Sequence, residues 1–266
     1  MLIDFHTHCF PDSLAERAIS KLAAVAGMEP FTNGTASDLI RKMKECGVDR
    51  AAVCNIATNP HQQEKVNNFA IALNSDPHFI SLGSVHPESD CIDSELTRIK
   101  NAGIKGIKLH PDYMGYMIDD SAFEPILEKC RDLGLFVIIH AGFDVISPEL
   151  VHAPPEKIRK VQDKFKGLTL IAAHFGACRR WDDVLEYLVG SPVYIDTSLC
   201  YNFGLEKGKA EMIIKEHDPD RILFGSDLPW GCPGETYKYI ESLSVSDQIK
   251  NKIYSENALR LLGETR

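Results

Sequence analysis

The segment KCRDLGLFVIIH, residues 129–140, contains the pattern that decides the fold of this chain. A run with apolar residues at helical spacing ends at Gly134, and a short apolar run that finishes in His140 follows it. Glycine suits the left-handed position that ends a helix, and a strand that is apolar at every position is typical of burial on both faces. The segment therefore predicts a helix followed by a buried strand.

The same unit of helix, glycine and strand recurs along the sequence. Three further copies are KMKECGVDRAAVC (residues 42–54), IKNAGIKGIKLH (99–110) and QDKFKGLTLIAAH (162–174). Four other runs have the composition of buried strands, namely residues 1–6, 79–85, 192–198 and 221–227. The first connection is enlarged, with a predicted helix over 12–26, and residues 244–262 predict a closing helix.

Strand and helix alternate eight times in about 250 residues, which predicts an α/β protein with the (β/α)8 TIM-barrel fold. We expect residues 1–266 to form a single domain, because no linker divides the sequence. An open doubly wound sheet is the alternative. No glycine-rich dinucleotide motif follows the first strand to favour it.

The composition is that of an ordinary globular protein. Of the 266 residues, 44% are hydrophobic and 25% are charged, and the net charge is −9. This negative balance argues against a broad surface for nucleic acid or membrane. No apolar run reaches the roughly 18 residues that span a bilayer, and no secretory signal is visible. Eight cysteines without a CxxC pair suit a reducing compartment. We expect a cytoplasmic protein whose partner is a small-molecule substrate.

Histidines gather at the predicted carboxyl ends of the strands. Six of the ten lie there: His6, His8, His86, His110, His140 and His174. Asp227 follows the last strand. The carboxyl ends of barrel strands meet at one rim, where barrel enzymes hold their active sites. Imidazoles and a carboxylate suit zinc or another divalent metal, which lowers the pKa of a bound water to about 7. The sequence therefore predicts a metal site at this rim.

These motifs resemble those of the amidohydrolase superfamily. DFHTH (residues 4–8), GIKLHP (106–111) and LFGSDLPW (223–230) are similar to motifs of its amidohydrolase-related branch. That branch includes aminocarboxymuconate-semialdehyde decarboxylase and the resorcylate-type decarboxylases. The resemblance implies one divalent metal, Zn²⁺ first and Mn²⁺ or Fe²⁺ as alternatives. The ligands that it implies are His6, His8, His140 and Asp227. It also implies catalytic roles for His174 and Asp227 in handling the proton.

Substrate contacts are expected from the strand ends and the loops of the same rim. If the site holds one metal, the resemblance implies that Lys108 or His110, on the fourth strand, faces the substrate. In the binuclear members of the superfamily a carboxylated lysine or a glutamate on this strand bridges two metals, and Lys108 is the candidate for that role. The loops offer three further candidates, His152, Arg179 and Trp230. Three histidines on predicted helices or turns are expected at the surface: His61, His78 and His217.

Two reactions fit this site. The first is hydrolysis of a C–N or C–O bond in a small, carboxylate-bearing carbonyl substrate through a metal-bound water. The alternative is non-oxidative decarboxylation of an unsaturated or aromatic acid. A nuclease of the TatD type is a third hypothesis, although the fourth strand holds Lys108 where that family has a glutamate. A metal-binding barrel without catalysis is the fourth. Barrels of this branch often pair, so a homodimer is a further expectation.

Overall fold

Eight parallel strands alternate with helices in the computed structural model, which describes residues 1–264. The strands are β1 (Ile3–Thr7), β2 (Arg50–Cys54), β3 (Phe79–Leu82), β4 (Gly106–Leu109), β5 (Phe136–Ile139), β6 (Leu170–Ala172), β7 (Tyr194–Asp196) and β8 (Ile222–Leu223). The helices are α1 (Asp12–Ala26), α2 (Ala36–Cys46), α3 (Gln63–Leu73), α4 (Ile92–Asn101), α5 (Pro111–Met114), α6 (Glu124–Leu133), α7 (Pro155–Lys164), α8 (Trp181–Asp183), α9 (Lys207–Glu216), α10 (Pro233–Glu241), α11 (Asp247–Asn251) and α12 (Asn257–Leu262).

The strands close into a barrel. Strands β1–β2–β3 pair in one sheet and β4–β5–β6–β7–β8 in another. At the first seam between them, the Lys108 N–H donates to the Gly83 carbonyl at 2.8 Å. At the second seam, the Phe5 N–H donates to the Phe224 carbonyl at 2.7 Å. Backbone pairing therefore continues around the whole circle, and the predicted (β/α)8 barrel is confirmed.

Below the rim, apolar side chains fill the barrel interior. Phe5 and Phe136 meet there with their ring centroids 5.6 Å apart, and Leu259 of α12 belongs to the same cluster. Gly106 leaves space for this packing, because a Cβ at that position would lie 2.3 Å from the Phe136 ring. Protein interiors are packed to crystal-like density, so the polar groups of the rim lie directly above a closely packed apolar layer.

Each predicted strand is present, but β3, β7 and β8 are shorter than the runs 79–85, 192–198 and 221–227, and two helices also differ from the expectation. The segment 181–189, expected as one α-helix, is α8 followed by a π-helical stretch over Val184–Leu188. The predicted closing helix is likewise divided into α11, a π-helical stretch over Lys252–Glu256 and α12. Within residues 1–264, none of the helices is long and apolar enough to cross a membrane.

The expected surface position of His217 is wrong. This residue follows α9, and its side chain is buried. Its Nε2–H donates to the Val193 carbonyl at 3.0 Å. A polar ring can be buried at this point because the backbone before β7 supplies a partner for it.

Candidate metal centre

Three of the predicted ligands converge above the ends of β1 and β8. Asp227 Oδ1 lies 3.2 Å from His6 Nε2 and 3.0 Å from His8 Nε2. The pairing register of β1 against β2 shifts between Asp4 and Thr7. Such an irregularity re-aims side chains, which explains how His6 joins the site although Phe5 fills the interior. The donor atoms of the two histidines and Asp227 lie close enough together to hold one ion.

Each of these histidines is fixed through its second ring nitrogen. His6 Nδ1 lies 2.8 Å from Asp196 Oδ2, and His8 Nδ1 lies 2.8 Å from the Cys54 carbonyl oxygen. Because a carbonyl or carboxylate oxygen accepts, each Nδ1 carries the proton and each Nε2 keeps its lone pair. Two lone pairs then face the Asp227 carboxylate, an arrangement that a cation among them stabilises. The donor set therefore fits a divalent metal whose histidine ligands are oriented by outer partners.

His140 lies beside this group but outside it. Its Nδ1 is 3.0 Å from His174 Nε2, and His174 Nδ1 is 2.8 Å from Ser198 Oγ. His140 Nε2 faces Asp144 Oδ2 at 3.2 Å instead of Asp227. The structure thus brings His140 and His174 into one network at the rim, and the role of His140 as a fourth ligand stays a prediction.

Asp144 is a site residue that the sequence analysis missed. Its Oδ2 lies 3.4 Å from His110 Nε2 as well as close to His140, and the two imidazole rings stack with centroids 4.2 Å apart. Gly142 sets the course of this loop, since its φ is +86° and an added Cβ would lie 2.2 Å from the backbone nitrogen of Cys178. The one signal in the sequence is an aspartate shortly after the histidine that ends β5.

Asp196, the last residue of β7, and Ser198, shortly after it, are the other site residues that were not predicted. Besides its contact with His6, Asp196 accepts through Oδ1 from the His174 N–H at 3.1 Å and from the Ser198 N–H at 3.0 Å. Ser198 Oγ also lies 3.2 Å from His6 Nδ1. Their sequence signal is the polar end of an otherwise apolar strand, YIDTS, residues 194–198. These contacts tie the metal group to His174.

Lys108 is buried at the floor of the site. Its Nζ lies 3.2 Å from His6 Nε2, and its side chain is almost completely excluded from solvent. A buried ammonium requires partners that accept a hydrogen bond or carry negative charge. Lys108 therefore brings its amine beside the His6 ring, from the strand on which it was predicted.

Burial decides the protonation of the site. It lowers the pKa of His6 and His174 well below the usual value and that of His110 to about 3. Burial opposes ionisation of Asp227, but the contacts with His6 and His8 outweigh it and lower the pKa of this carboxyl. At neutral pH His6 is therefore uncharged and the Asp227 carboxylate is ionised, as ligation of a metal requires.

Two site residues have strained backbone. His174 has φ of +61° and Asp227 has φ of +67°, in the left-handed region that residues other than glycine rarely adopt. Such positions cost on the order of 1–3 kcal/mol each and concentrate at active sites. The Asp227 N–H donates to the His6 carbonyl at 2.8 Å, which helps to hold this conformation.

A cavity of about 530 Å³ opens above these groups. Of the predicted substrate contacts, Lys108, His110 and Trp230 line it. His152 does not; its Nδ1 lies 3.0 Å from Asp112 Oδ1. Arg179 also lies outside the lining, with its guanidinium 4.6 Å from the ring centroid of Phe143. The structure therefore brings three of the five predicted contacts to the cavity.

Comparison with known proteins places the fold. Across 98% of both chains it is similar to an uncharacterised TIM-barrel protein from Bordetella bronchiseptica, with 20% identity and a TM-score of 0.74. A protein from Pseudomonas putida assigned as a 2-pyrone-4,6-dicarboxylic acid hydrolase has 17% identity and a TM-score of 0.69, with 98% of this chain and 97% of that chain covered.

The third similar structure is the 5-carboxyvanillate decarboxylase of Novosphingobium aromaticivorans complexed with manganese and 4-hydroxy-3-methoxy-5-nitrobenzoic acid. It has 16% identity and a TM-score of 0.75, and 99% of this chain and 96% of that chain are covered. No curated protein matches this sequence. The sequence model of the amidohydrolase family matches residues 3–263. The chain therefore belongs to the amidohydrolase family.

Proposed function

We propose that this chain is a metal-dependent hydrolase that cleaves a C–N or C–O bond in a small carbonyl compound. The observation that supports it is the convergence of His6, His8 and Asp227 at the floor of the cavity, with both Nδ1 atoms fixed by acceptors. A divalent ion held there supplies Lewis acidity, which polarises a carbonyl and makes water more acidic.

The proposed ion is zinc, with Mn²⁺ or Fe²⁺ as alternatives. Two imidazoles and one carboxylate suit all three ions. Manganese in the decarboxylase from Novosphingobium supports a divalent ion in this fold. His140 is the proposed fourth ligand, since it is one imidazole contact away from the group through His174.

Three side chains of the site have separate proposed roles in hydrolysis. Asp227, ionised and beside both histidines, is the proposed acceptor of the proton that the attacking water loses. His174 is held by Ser198 through Nδ1 and is the proposed group that orients the substrate, while Asp227 gives the proton it accepted to the leaving atom. Lys108, at the floor beside His6, is proposed to hold the developing negative charge on the carbonyl oxygen.

Decarboxylation is the second candidate. The similarity to 5-carboxyvanillate decarboxylase over nearly the full length of both chains favours it. In that reaction Lys108 would hold the carboxylate before the C–C bond breaks. The electron pair would stay on the substrate carbon as CO₂ leaves, and that carbon would then take a proton from a group at the rim.

Turnover of two substrate panels separates these reactions. Zinc-loaded and manganese-loaded protein is incubated with two panels of compounds. Acid release is measured for lactones and cyclic amides, and CO₂ release is measured for hydroxybenzoates. We expect acid release from the first panel and its loss in Asp227→Asn. Turnover of the second panel alone would overturn the hydrolase proposal in favour of the decarboxylase.

A further inference from the structure

The outer part of the cavity is lined by apolar side chains, unlike its floor. The floor is formed by polar groups, while the outer wall includes Leu14, Leu22 and Val25 of α1 and Val66 and Phe69 of α3. These apolar side chains line the same cavity as Asp227 and Lys108. A molecule that reaches the floor therefore has hydrocarbon beside it on the way to the surface.

The apolar residues of α1 are divided between the core and the cavity. Ala15 and Ile19 are the residues of α1 that are buried. Leu14 and Val25 remain 42% and 51% exposed. Leu22 follows Leu14 by eight residues and Val25 follows it by eleven, which places the three side chains on one face of the helix. A ligand that covers these partly exposed side chains removes apolar area from water, which favours binding.

The charged residues of the lining indicate which kind of substrate group this wall accepts. The lysines of the lining are Lys108, at the floor, and Lys65, which is exposed at α3. Among residues 1–264 no arginine lines the cavity, and Asp144 adds negative charge to it. A second carboxylate on a substrate would thus meet apolar side chains without a guanidinium to pair with.

We propose that the substrate carries an uncharged hydrocarbon arm, which lies along Leu14, Leu22 and Val25 while its carbonyl head reaches the floor. The inference rests on the proposed function for the position of the head. The volume of about 530 Å³ supports it, since pockets of 300–1,000 Å³ enclose ligands of drug size. A compound of only a few atoms would leave most of this wall uncovered.

A series of n-alkyl hydroxamic acids, from acetyl to decanoyl, tests the inference by calorimetry on the zinc-loaded protein. The hydroxamate head binds zinc, and the chain reports on the wall. We expect Kd to fall about threefold to fourfold for each added methylene that the wall covers. The monohydroxamate of a dicarboxylic acid of equal length should bind more weakly, because its carboxylate loses water beside apolar side chains and the exposed Lys65, which stays in water, offers it a weak partner.

Leu14→Ser and Val25→Ser should each reduce the dependence on chain length, while Met212→Ser should leave it unchanged. Met212 is the matched control because it is 46% exposed on α9 and lies outside the cavity lining. Affinity that does not depend on chain length in the wild type would overturn the inference. A dimer in sedimentation analysis that Leu14→Ser and Val25→Ser convert to monomer would also overturn it, because a second copy would then cover this face.

Failure of the proposed function gives a different result. If no hydroxamate binds, the metal site is wrong, and a series of n-alkanols then tests the wall without it. Binding that strengthens with alkanol length and weakens in Leu14→Ser would support the inference by itself. Alkanols that bind equally at all lengths, or not at all, would overturn it.

Discussion

His6 Nδ1 and Asp196 Oδ2 form a buried contact of 2.8 Å that joins the end of β1 to the end of β7. Asp196 uses its other oxygen to accept from the His174 N–H and the Ser198 N–H. The carboxylate therefore sets the orientation of His6 while it is itself held by two backbone donors. Outer partners of this kind commonly govern how tightly a metal is bound.

Asp196→Asn should weaken zinc binding by about 10–100-fold, because an amide cannot accept at both positions. Competition against a chelating indicator measures the affinity. Asp163→Asn is the control, since Asp163 is an exposed carboxylate that pairs with Arg159 on α7. Unchanged affinity in Asp196→Asn would mean that His6 is not positioned through this contact.

Asp144→Asn should reduce kcat by about tenfold or more, since the carboxylate lies against both His110 and His140. The readout is turnover of the best substrate found in the two panels, with zinc content measured on the same samples. Glu149→Gln, an exposed change in the same loop, should keep the wild-type kcat. A wild-type rate in Asp144→Asn would assign this residue a role in folding alone.

Gly142→Ala should lower the free energy of unfolding by about 1–3 kcal/mol or more, because φ of +86° strains an alanine and its Cβ would meet the Cys178 backbone. Urea titration followed by circular dichroism measures it. Gly208→Ala in α9 is the control: nothing lies near its Cβ, and alanine favours a helix. We expect that change to leave stability equal or higher. Equal stability of Gly142→Ala and wild type would contradict the backbone conformation of Gly142 and its close approach to Cys178.

His217 should make the protein less stable in mild acid. Burial lowers the pKa of this side chain, so the unfolded chain takes up a proton at higher pH than the folded chain. The stability that it contributes is complete above about pH 6.5 and is lost as pH falls through the lower folded pKa. His217→Gln keeps a donor for the Val193 carbonyl and should show a smaller fall in Tm between neutral pH and mild acid.

The exposed His61→Gln serves as the control for this comparison, and its Tm should fall as that of the wild type does. The same fall in His217→Gln would show that the buried imidazole does not cause the acid sensitivity.

The barrel could be predicted because its signals are local. A glycine that ends a helix and a continuously apolar strand are each visible within a dozen residues, as in residues 129–140. The three converging ligands also end strands, so that topology alone brings His6, His8 and Asp227 to one rim. Asp144 could not be predicted in this way, since its position depends on the loop path that Gly142 allows.

Contacts made in loops were the least predictable part of the site. His152 and Arg179 follow strands in the sequence, yet His152 faces Asp112 and Arg179 packs on Phe143. His217 shows the same limit for burial, because its partner, the Val193 carbonyl, lies on a different element. These positions are decided by tertiary contacts that neither periodicity nor spacing encodes.

Metal content tests the central claim most directly. Protein purified without chelator and then titrated with zinc should hold one divalent ion per chain, and His61→Ala should hold the same amount. His8→Ala and Asp227→Ala should each lose most of it while remaining folded by circular dichroism. A wild-type protein that binds no stoichiometric metal, or both variants with full metal content, would contradict the metal centre at His6, His8 and Asp227.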